Sequence, residues 1–488
     1  MKRLRLLALS PALLALGFAF APAVARADLA SDVQEVLDHN LLKKGTVAVD
    51  VVRLGANADA DAPVFGHNAE TPLVPASNLK LVTTAAALHR FGQGFKYKTE
   101  LRLTAEGDLV LVGDGDPALG DAEYLRKVGW KTNTLFEWWA VQLREKHNIR
   151  TVRDLVVDDS VFDAEMLHPR WPADQVHKRY VPEVAGLNLN ANCVDFQVVA
   201  NSIGGVVQYK IDPPTRYVTV RNTCVGGNDN KIWLARDPAT NDIVLRGEAK
   251  GATQVPVSVT VRDPALFAGT VFSETLAANG IRRDGQVRRD HSFRANPAAG
   301  KVIAVHETPL ATVLARANKD SMNLYAESLC KRLGKEASGE SGSWANGTLA
   351  LADFLRGIGV ADNQFHLDDG CGLSRENVIS PRALTKVLAH AYHGANKDAF
   401  LISLSVAGID GTLEDRFKGS DLRGRVTGKS GYINGVRSLS GYLRTKDGQF
   451  YAFSILMNKV SDAAEIKALQ EKIVKAVDTH AAGVAVGQ

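Results

Sequence analysis

The chain has 488 residues, 45% of them apolar, which excludes a disordered or fibrous protein and suits two to four domains with cores of their own. Its formal charge of +4 comes from residues 1–27, where Lys2, Arg3, Arg5 and Arg26 stand without an acid; the remainder balances 54 basic against 54 acidic residues. A neutral chain with no block of like charge has no electrostatic reason to bind nucleic acid or an anionic membrane surface.

At the N-terminus, three cations precede an apolar run from Leu6 to Phe20, and Ala25-Arg26-Ala27 supplies a small-x-small site before Asp28. That order predicts a secretory signal peptide over 1–27 and an exported, soluble, periplasmic chain; the apolar run is too short for a membrane anchor. Membrane association is expected to be peripheral at most. Export permits disulfides among Cys193, Cys224, Cys330 and Cys371. Chain neighbours, Cys193–Cys224 and Cys330–Cys371, are the preferred pairs, with small buried thiols as the alternative. Their spacings match no zinc site, and neither metal nor cofactor is expected.

"GTVAVDVVRL" alternates as a half-buried strand, and residues 76–91 follow as a helix stopped by Gly92. Short alternating strands then dominate ("YKTELRLTAEGDLVLV", "RTVRDLVVDD", "RYVTVRN") until Thr308-Pro309, which reads as a helix cap and first helical position. The pattern predicts a largely β insertion over 93–300 inside a discontinuous α/β domain. The tail, "SGYINGVRSLSGYLRTKDGQFYAFSIL", reads as strands joined at a Lys-Asp-Gly turn.

Two Ser-x-x-Lys pairs invite comparison, Ser77/Lys80 and Ser328/Lys331. On a helical wheel Ser328 and Lys331 fall with Glu327 and Arg332 opposite the apolar stripe, so this pair is expected to face water and keep its lysine protonated. Around Lys80 the apolar residues Leu79, Leu81, Val82, Ala85, Ala86, Ala87 and Leu88 cover nearly the whole circumference. Lys80 should therefore be desolvated, which disfavours its ammonium form. Ser77, at i and i+3 from Lys80, shares its face of the first turn. A neutral amine beside a serine hydroxyl is what a Ser–Lys acyl-transfer enzyme needs.

Two further motifs follow in order, each present once: Ser321-Met322-Asn323 and Lys429-Ser430-Gly431. The triple resembles that of penicillin-binding proteins and class A β-lactamases. Together with "GDGDPAL", "VVDDSVFD", "LNLNANCVDF", "DDGCGLSRENVISP", "VAGIDGTLEDRF" and "GKSGYINGVRSLSGY", it is similar to the D-alanyl-D-alanine carboxypeptidase/endopeptidase family, the type-4 low-molecular-mass penicillin-binding proteins of serine peptidase family S13. The 244 positions between Ser77 and Ser321 fit that family, which nests two small domains there.

The resemblance implies an α/β (α+β) transpeptidase-like domain over 28–92 and 301–488. It also implies one inserted domain over 93–165 and 259–300, and another nested within it over 166–258. It implies a serine D-Ala-D-Ala carboxypeptidase acting on peptidoglycan stem peptides through an acyl-enzyme, with β-lactam antibiotics as acylating inhibitors. Ser77 is the implied nucleophile, Lys80 its base, Ser321 the proton relay and Asn323 the group that orients the penultimate amide. Lys429 and Ser430 are implied to hold the substrate carboxylate beside Gly431, with backbone N–H groups of Ser77 and Tyr432 as the oxyanion hole.

Three residues depart from the family pattern: Met322 for the more frequent aspartate, Ser430 for threonine, and Tyr432 for a small residue. The alternatives are a serine β-lactamase, against which the long insertion and the lack of a Tyr-x-Asn motif argue, and a catalytically silent cell-wall-binding protein.

Overall fold

The protein, as a computed structural model, is described over residues 29–461 and 464–485; the expected signal segment lies outside the described residues. At its centre is an antiparallel six-stranded sheet in the order Ser405–Val406, Val426–Ile433, Val436–Arg444, Phe450–Asn458, Thr46–Arg53, Ala62–His67. Its inner strands are largely buried on both faces because both faces are covered. From Phe450–Asn458, Tyr451, Phe453, Ile455 and Met457 join one core with the terminal helices Leu29–Leu37 and Ala464–Ala485. Ala452 and Leu456 enter the other core, with the helices Lys80–Phe91, Leu310–Asn318, Asn323–Ser338, Trp344–Gly357 and Pro381–His393. Two helical layers thus enclose one sheet, which is the mixed α/β architecture expected.

Much of 93–300 builds a second core, while Tyr97, Phe162, Trp171 and Val184 pack into the core beside the helix Lys80–Phe91. A five-stranded sheet runs Val287–Arg289, Leu155–Asp158, Leu109–Val112, Lys96–Leu103, Lys301–Pro309. The helices Thr134–Glu145 and Pro264–Ala278 and the strands Cys193–Val199 and Val257–Thr260 share its apolar interior.

Three sequence expectations are corrected. The strand Lys301–Pro309 carries Thr308 and Pro309, and the helix begins at Leu310 with Pro309 as its cap. Thr308 Oγ1 donates to Asp116 Oδ2 at 2.6 Å instead of capping the helix.

All four cysteines are buried free thiols, so neither expected disulfide forms. Burial pushes the thiols of Cys193, Cys330 and Cys371 up, which suppresses the thiolate that disulfide exchange requires.

Ser328 and Lys331 are fully buried rather than solvated. Lys331 Nζ donates to Asp163 Oδ1 at 2.7 Å and to the Glu165 carbonyl at 2.6 Å, and lies 3.8 Å from the Trp344 ring centroid. The insertion covers the face that the wheel assigned to water. No helix among the described residues is long and apolar enough to cross a membrane.

Candidate active site

The apolar sleeve predicted around Lys80 is present: every residue from Leu79 to Leu88 is buried, and Lys80 is 0% exposed. Ala76–Leu79 forms a tight turn leading into the helix Lys80–Phe91, so Ser77 stands one turn ahead of Lys80 and stays half-exposed. Lys80 Nζ donates to Ser77 Oγ at 2.9 Å, to Asn323 Oδ1 at 2.8 Å and to the Cys371 carbonyl at 2.9 Å. Burial lowers the proton affinity of Lys80, opposed by the negative charge of Asp369 and Glu327.

The turn is held by close backbone contacts. Ala76 sits at φ +46, and its carbonyl abuts Gly372, where an added Cβ would lie 1.9 Å from that oxygen. On the other side Gly431 admits the turn: a Cβ there would lie 2.8 Å from Pro75 O and 3.0 Å from Ser77 N. Ser438 Oγ donates to the same Pro75 carbonyl at 2.6 Å, and Asn78 Nδ2 to Ser440 Oγ at 2.6 Å, which ties the turn to the sheet.

Ser321 occupies the link between the helices Leu310–Asn318 and Asn323–Ser338 at φ +57, a conformation that costs a non-glycine residue energy. Flanking bonds hold it there. Arg316 Nη1 donates to Asp320 Oδ2 at 2.5 Å, the Arg316 carbonyl accepts Met322 N at 3.2 Å, and Lys319 pairs with Asp410. Asn323, the first residue of its helix, gives its Nδ2 to the Tyr180 carbonyl at 2.7 Å, so the insertion reaches the site.

Lys429 and Ser430 lie in the strand Val426–Ile433, the tail strand expected from the sequence. Lys429 Nζ donates to Ser321 Oγ at 2.8 Å and to the Ser430 carbonyl at 2.7 Å. Burial, and then the nearby Lys80 cation, push its proton affinity well below the ordinary lysine range. Ser405–Val406 pairs only with Gly428 and Thr427, so beyond Gly428 that edge of the strand faces the Ser77 turn. Tyr432 is exposed at the end of that edge, and the Arg437 guanidinium stacks 3.6 Å from its ring centroid.

Ser77, Lys80, Ser321, Asn323, Lys429, Ser430 and Gly431 therefore converge, linked by hydrogen bonds or backbone contact. Sequence reasoning missed the carbonyls of Cys371 and Tyr180, since backbone acceptors leave no residue-type signal. It also assigned Glu327, which is buried beside Cys371, to a solvated face. Ser328 and Lys331 stay apart chemically as well: among the described residues Ser328 Oγ has no hydrogen-bond partner, and Lys331 is committed to Asp163.

Residues 29–480 match the D-Ala-D-Ala carboxypeptidase 3 (S13) family. A D-alanyl-D-alanine carboxypeptidase of Actinomadura sp. (strain R39) is 31% identical over 472 residues, covering 91% of this chain and 84% of the relative. The D-alanyl-D-alanine carboxypeptidase DacB of Haemophilus influenzae is 25% identical over 84% of this chain and 85% of its own. The crystal structure of penicillin binding protein 4 (dacB) from Haemophilus influenzae superposes with a TM-score of 0.74 at 22% identity, covering 91% of this chain and 99% of that one. A second structure of that protein, complexed with a novel β-lactam, gives a TM-score of 0.71 at 22% identity over 92% and 99%. With the match spanning nearly the whole described chain, the protein belongs to the D-Ala-D-Ala carboxypeptidase 3 (S13) family and is an enzyme of the serine-type DD-peptidase class.

Proposed function

We propose that the protein removes the terminal D-alanine from peptidoglycan stem peptides through an acyl-enzyme on Ser77. The observation that carries this reading is the 2.9 Å contact between Ser77 Oγ and a fully buried Lys80, whose proton affinity is lowered by that burial. Once Lys80 has lost its own proton, it takes the Ser77 hydroxyl proton as Oγ attacks the carbonyl of the D-Ala-D-Ala bond. The N–H groups of Ser77 and Tyr432 receive the oxyanion; one such donor is typically worth ~3 kcal/mol of barrier. As the C–N bond breaks, the proton that Lys80 took passes through the Ser321 hydroxyl to the departing D-alanine amine, which leaves Lys80 neutral again. Water then cleaves the ester and returns Ser77 to its hydroxyl form.

Lys429 and Ser430 take the substrate's C-terminal carboxylate, and that anion restores the ammonium form that burial disfavours in Lys429. Asn323 orients the penultimate amide while holding Lys80. A β-lactam carries both the strained amide and the carboxylate this arrangement recognises, so it acylates Ser77 and leaves slowly. Endopeptidase cleavage of cross-linked dimers uses the same serine, and export to the periplasm brings enzyme and substrate together.

The insertion is read as one small domain nested in another. Its five-stranded sheet, which takes strands from before and after residues 166–258, supports that reading. Free D-alanine released from a pentapeptide, compared with cleavage of cross-linked dimers, tests the activity and apportions it. Release of neither product would contradict the proposal.

A further inference from the structure

Beside Lys80 lies a buried cluster that the mechanism above leaves unused. Glu327, Asp369 and Cys371 are each 0% exposed and bring one side-chain oxygen or sulfur apiece within 4.8 Å of one another. The carboxylate oxygens face N–H donors, which engage them as hydrogen-bond acceptors. Asp369 Oδ1 accepts from the backbone N–H groups of Cys371 (3.1 Å) and Gly372 (2.7 Å) and from Asn377 Nδ2 (2.9 Å). Asp369 Oδ2 accepts from Trp171 Nε1 (2.9 Å) and the Ser374 N–H (2.7 Å). Five N–H donors thus satisfy its two oxygens.

Glu327 has less support. Its Oε2 accepts from Trp344 Nε1 at 2.7 Å, and its two oxygens share the Gly370 N–H at 3.1 and 3.0 Å. Gly370 leads directly to Cys371, whose carbonyl is the backbone acceptor for Lys80 Nζ. Thr83 Oγ1, from the Lys80 helix, donates to the Gly370 carbonyl at 2.6 Å, so the two segments are also bound side by side. The titratable groups facing Glu327 are Asp369, Lys80, Lys331 and the thiols of Cys330 and Cys371. Lys331 is compensated by Asp163, and burial raises both thiols so that they stay uncharged. Burial, then repulsion from Asp369, pushes Glu327 up to about 7.

We infer that Glu327 is a positioning residue for Lys80: it holds the Gly370–Cys371 backbone that presents its carbonyl to the lysine, and its charge sets the pH at which Lys80 becomes a base. The inference rests on Lys80 acting as the base for Ser77. The sign follows from Coulomb's law. An ionised Glu327 favours the ammonium form of Lys80 and postpones proton loss to higher pH; a neutral side chain at 327 releases the proton earlier.

The experiment is the second-order rate of acylation of the full chain by benzylpenicillin, measured between about pH 5 and 9 for the unsubstituted protein and for Glu327→Gln. The expected result is an acid limb displaced to lower pH by about half a unit or more, with the plateau kept within about tenfold. A purely structural role would lower the rate at every pH and leave the limb where it was; that result overturns the inference. Should Glu327→Gln fail to fold, Trp344→Phe removes one donor to the carboxylate while keeping an aromatic ring over Lys331. Its limb moves in the same direction by less, and an unmoved limb there overturns the inference equally. If the unsubstituted chain is not acylated at all, the reading of the site fails and this inference fails with it.

Discussion

Lys80 Nζ stands 2.8 Å from Asn323 Oδ1, a contact between residues 243 positions apart that joins the start of one helix to the start of another. Asn323 is itself anchored at the Tyr180 carbonyl, so its amide is oriented: oxygen toward Lys80, nitrogen toward the insertion. Replacing it by alanine frees the lysine from one of its three acceptors. Acylation by a penicillin should slow by about 100-fold, the lower range for a disturbed acid–base group. Asn323→Asp should be slower still near neutral pH, because a carboxylate there traps the ammonium form. Stopped-flow acylation rates check both.

The second Ser-x-x-Lys pair predicts the opposite behaviour. Lys331→Ala leaves Asp163 without its partner and opens a space beneath Trp344, but touches no reacting group. With the Asp163 side chain 30% exposed, we expect a loss of about 2 kcal/mol in unfolding free energy, below the usual cost of breaking a fully buried pair. The acylation rate of the folded fraction should stay within about threefold. Denaturant unfolding and acylation of the same samples separate the two effects.

Lys429 should pick up a proton when it meets an anionic substrate. Burial and the Lys80 cation hold it toward the neutral amine, and a bound carboxylate reverses that balance. Binding of a D-Ala-D-Ala peptide to Ser77→Ala should therefore take up as much as one proton near neutral pH, and affinity should fall as pH rises. Calorimetry in buffers of different ionisation enthalpy reads the proton count directly. Lys429→Ala should abolish the uptake and weaken binding by about 10- to 100-fold, the usual worth of a charged hydrogen bond.

Gly431→Ala tests the contact between strand and nucleophile turn. Its Cβ would press first on the buried Ser438 Oγ at 2.1 Å, then on Pro75 O at 2.8 Å and Ser77 N at 3.0 Å, the last two being backbone atoms that cannot rotate away. The strand must shift by a few tenths of an ångström from the turn, which moves the two proposed oxyanion donors apart. Acylation should fall by about 10- to 100-fold, a partial loss of one donor's contribution.

The catalytic core was legible where chemistry and burial lie in one short stretch. The apolar run after Leu79 announces a buried Lys80, and the unique Ser321-x-Asn323 and Lys429-Ser430-Gly431 motifs name their partners in order. Legibility ended where burial comes from distant chain. Lys331 looks solvated on any wheel of its own helix, because the covering residues Asp163 and Glu165 lie more than 160 positions earlier. Glu327 was misplaced for the same reason, its partners Trp344 and Gly370 lying beyond its helix. Burial thus failed to separate the two lysines. What separates them is the partner each one meets, a serine hydroxyl for Lys80 and a carboxylate for Lys331.

The central claim, that Ser77 is the nucleophile and Lys80 its base, is tested most directly by labelling the full chain with a fluorescent penicillin and mapping the adduct by peptide mass spectrometry. The account predicts one adduct, on the peptide carrying Ser77, absent from Ser77→Ala and strongly diminished in Lys80→Ala. No adduct, or an adduct on Ser328 or Ser321, would contradict it.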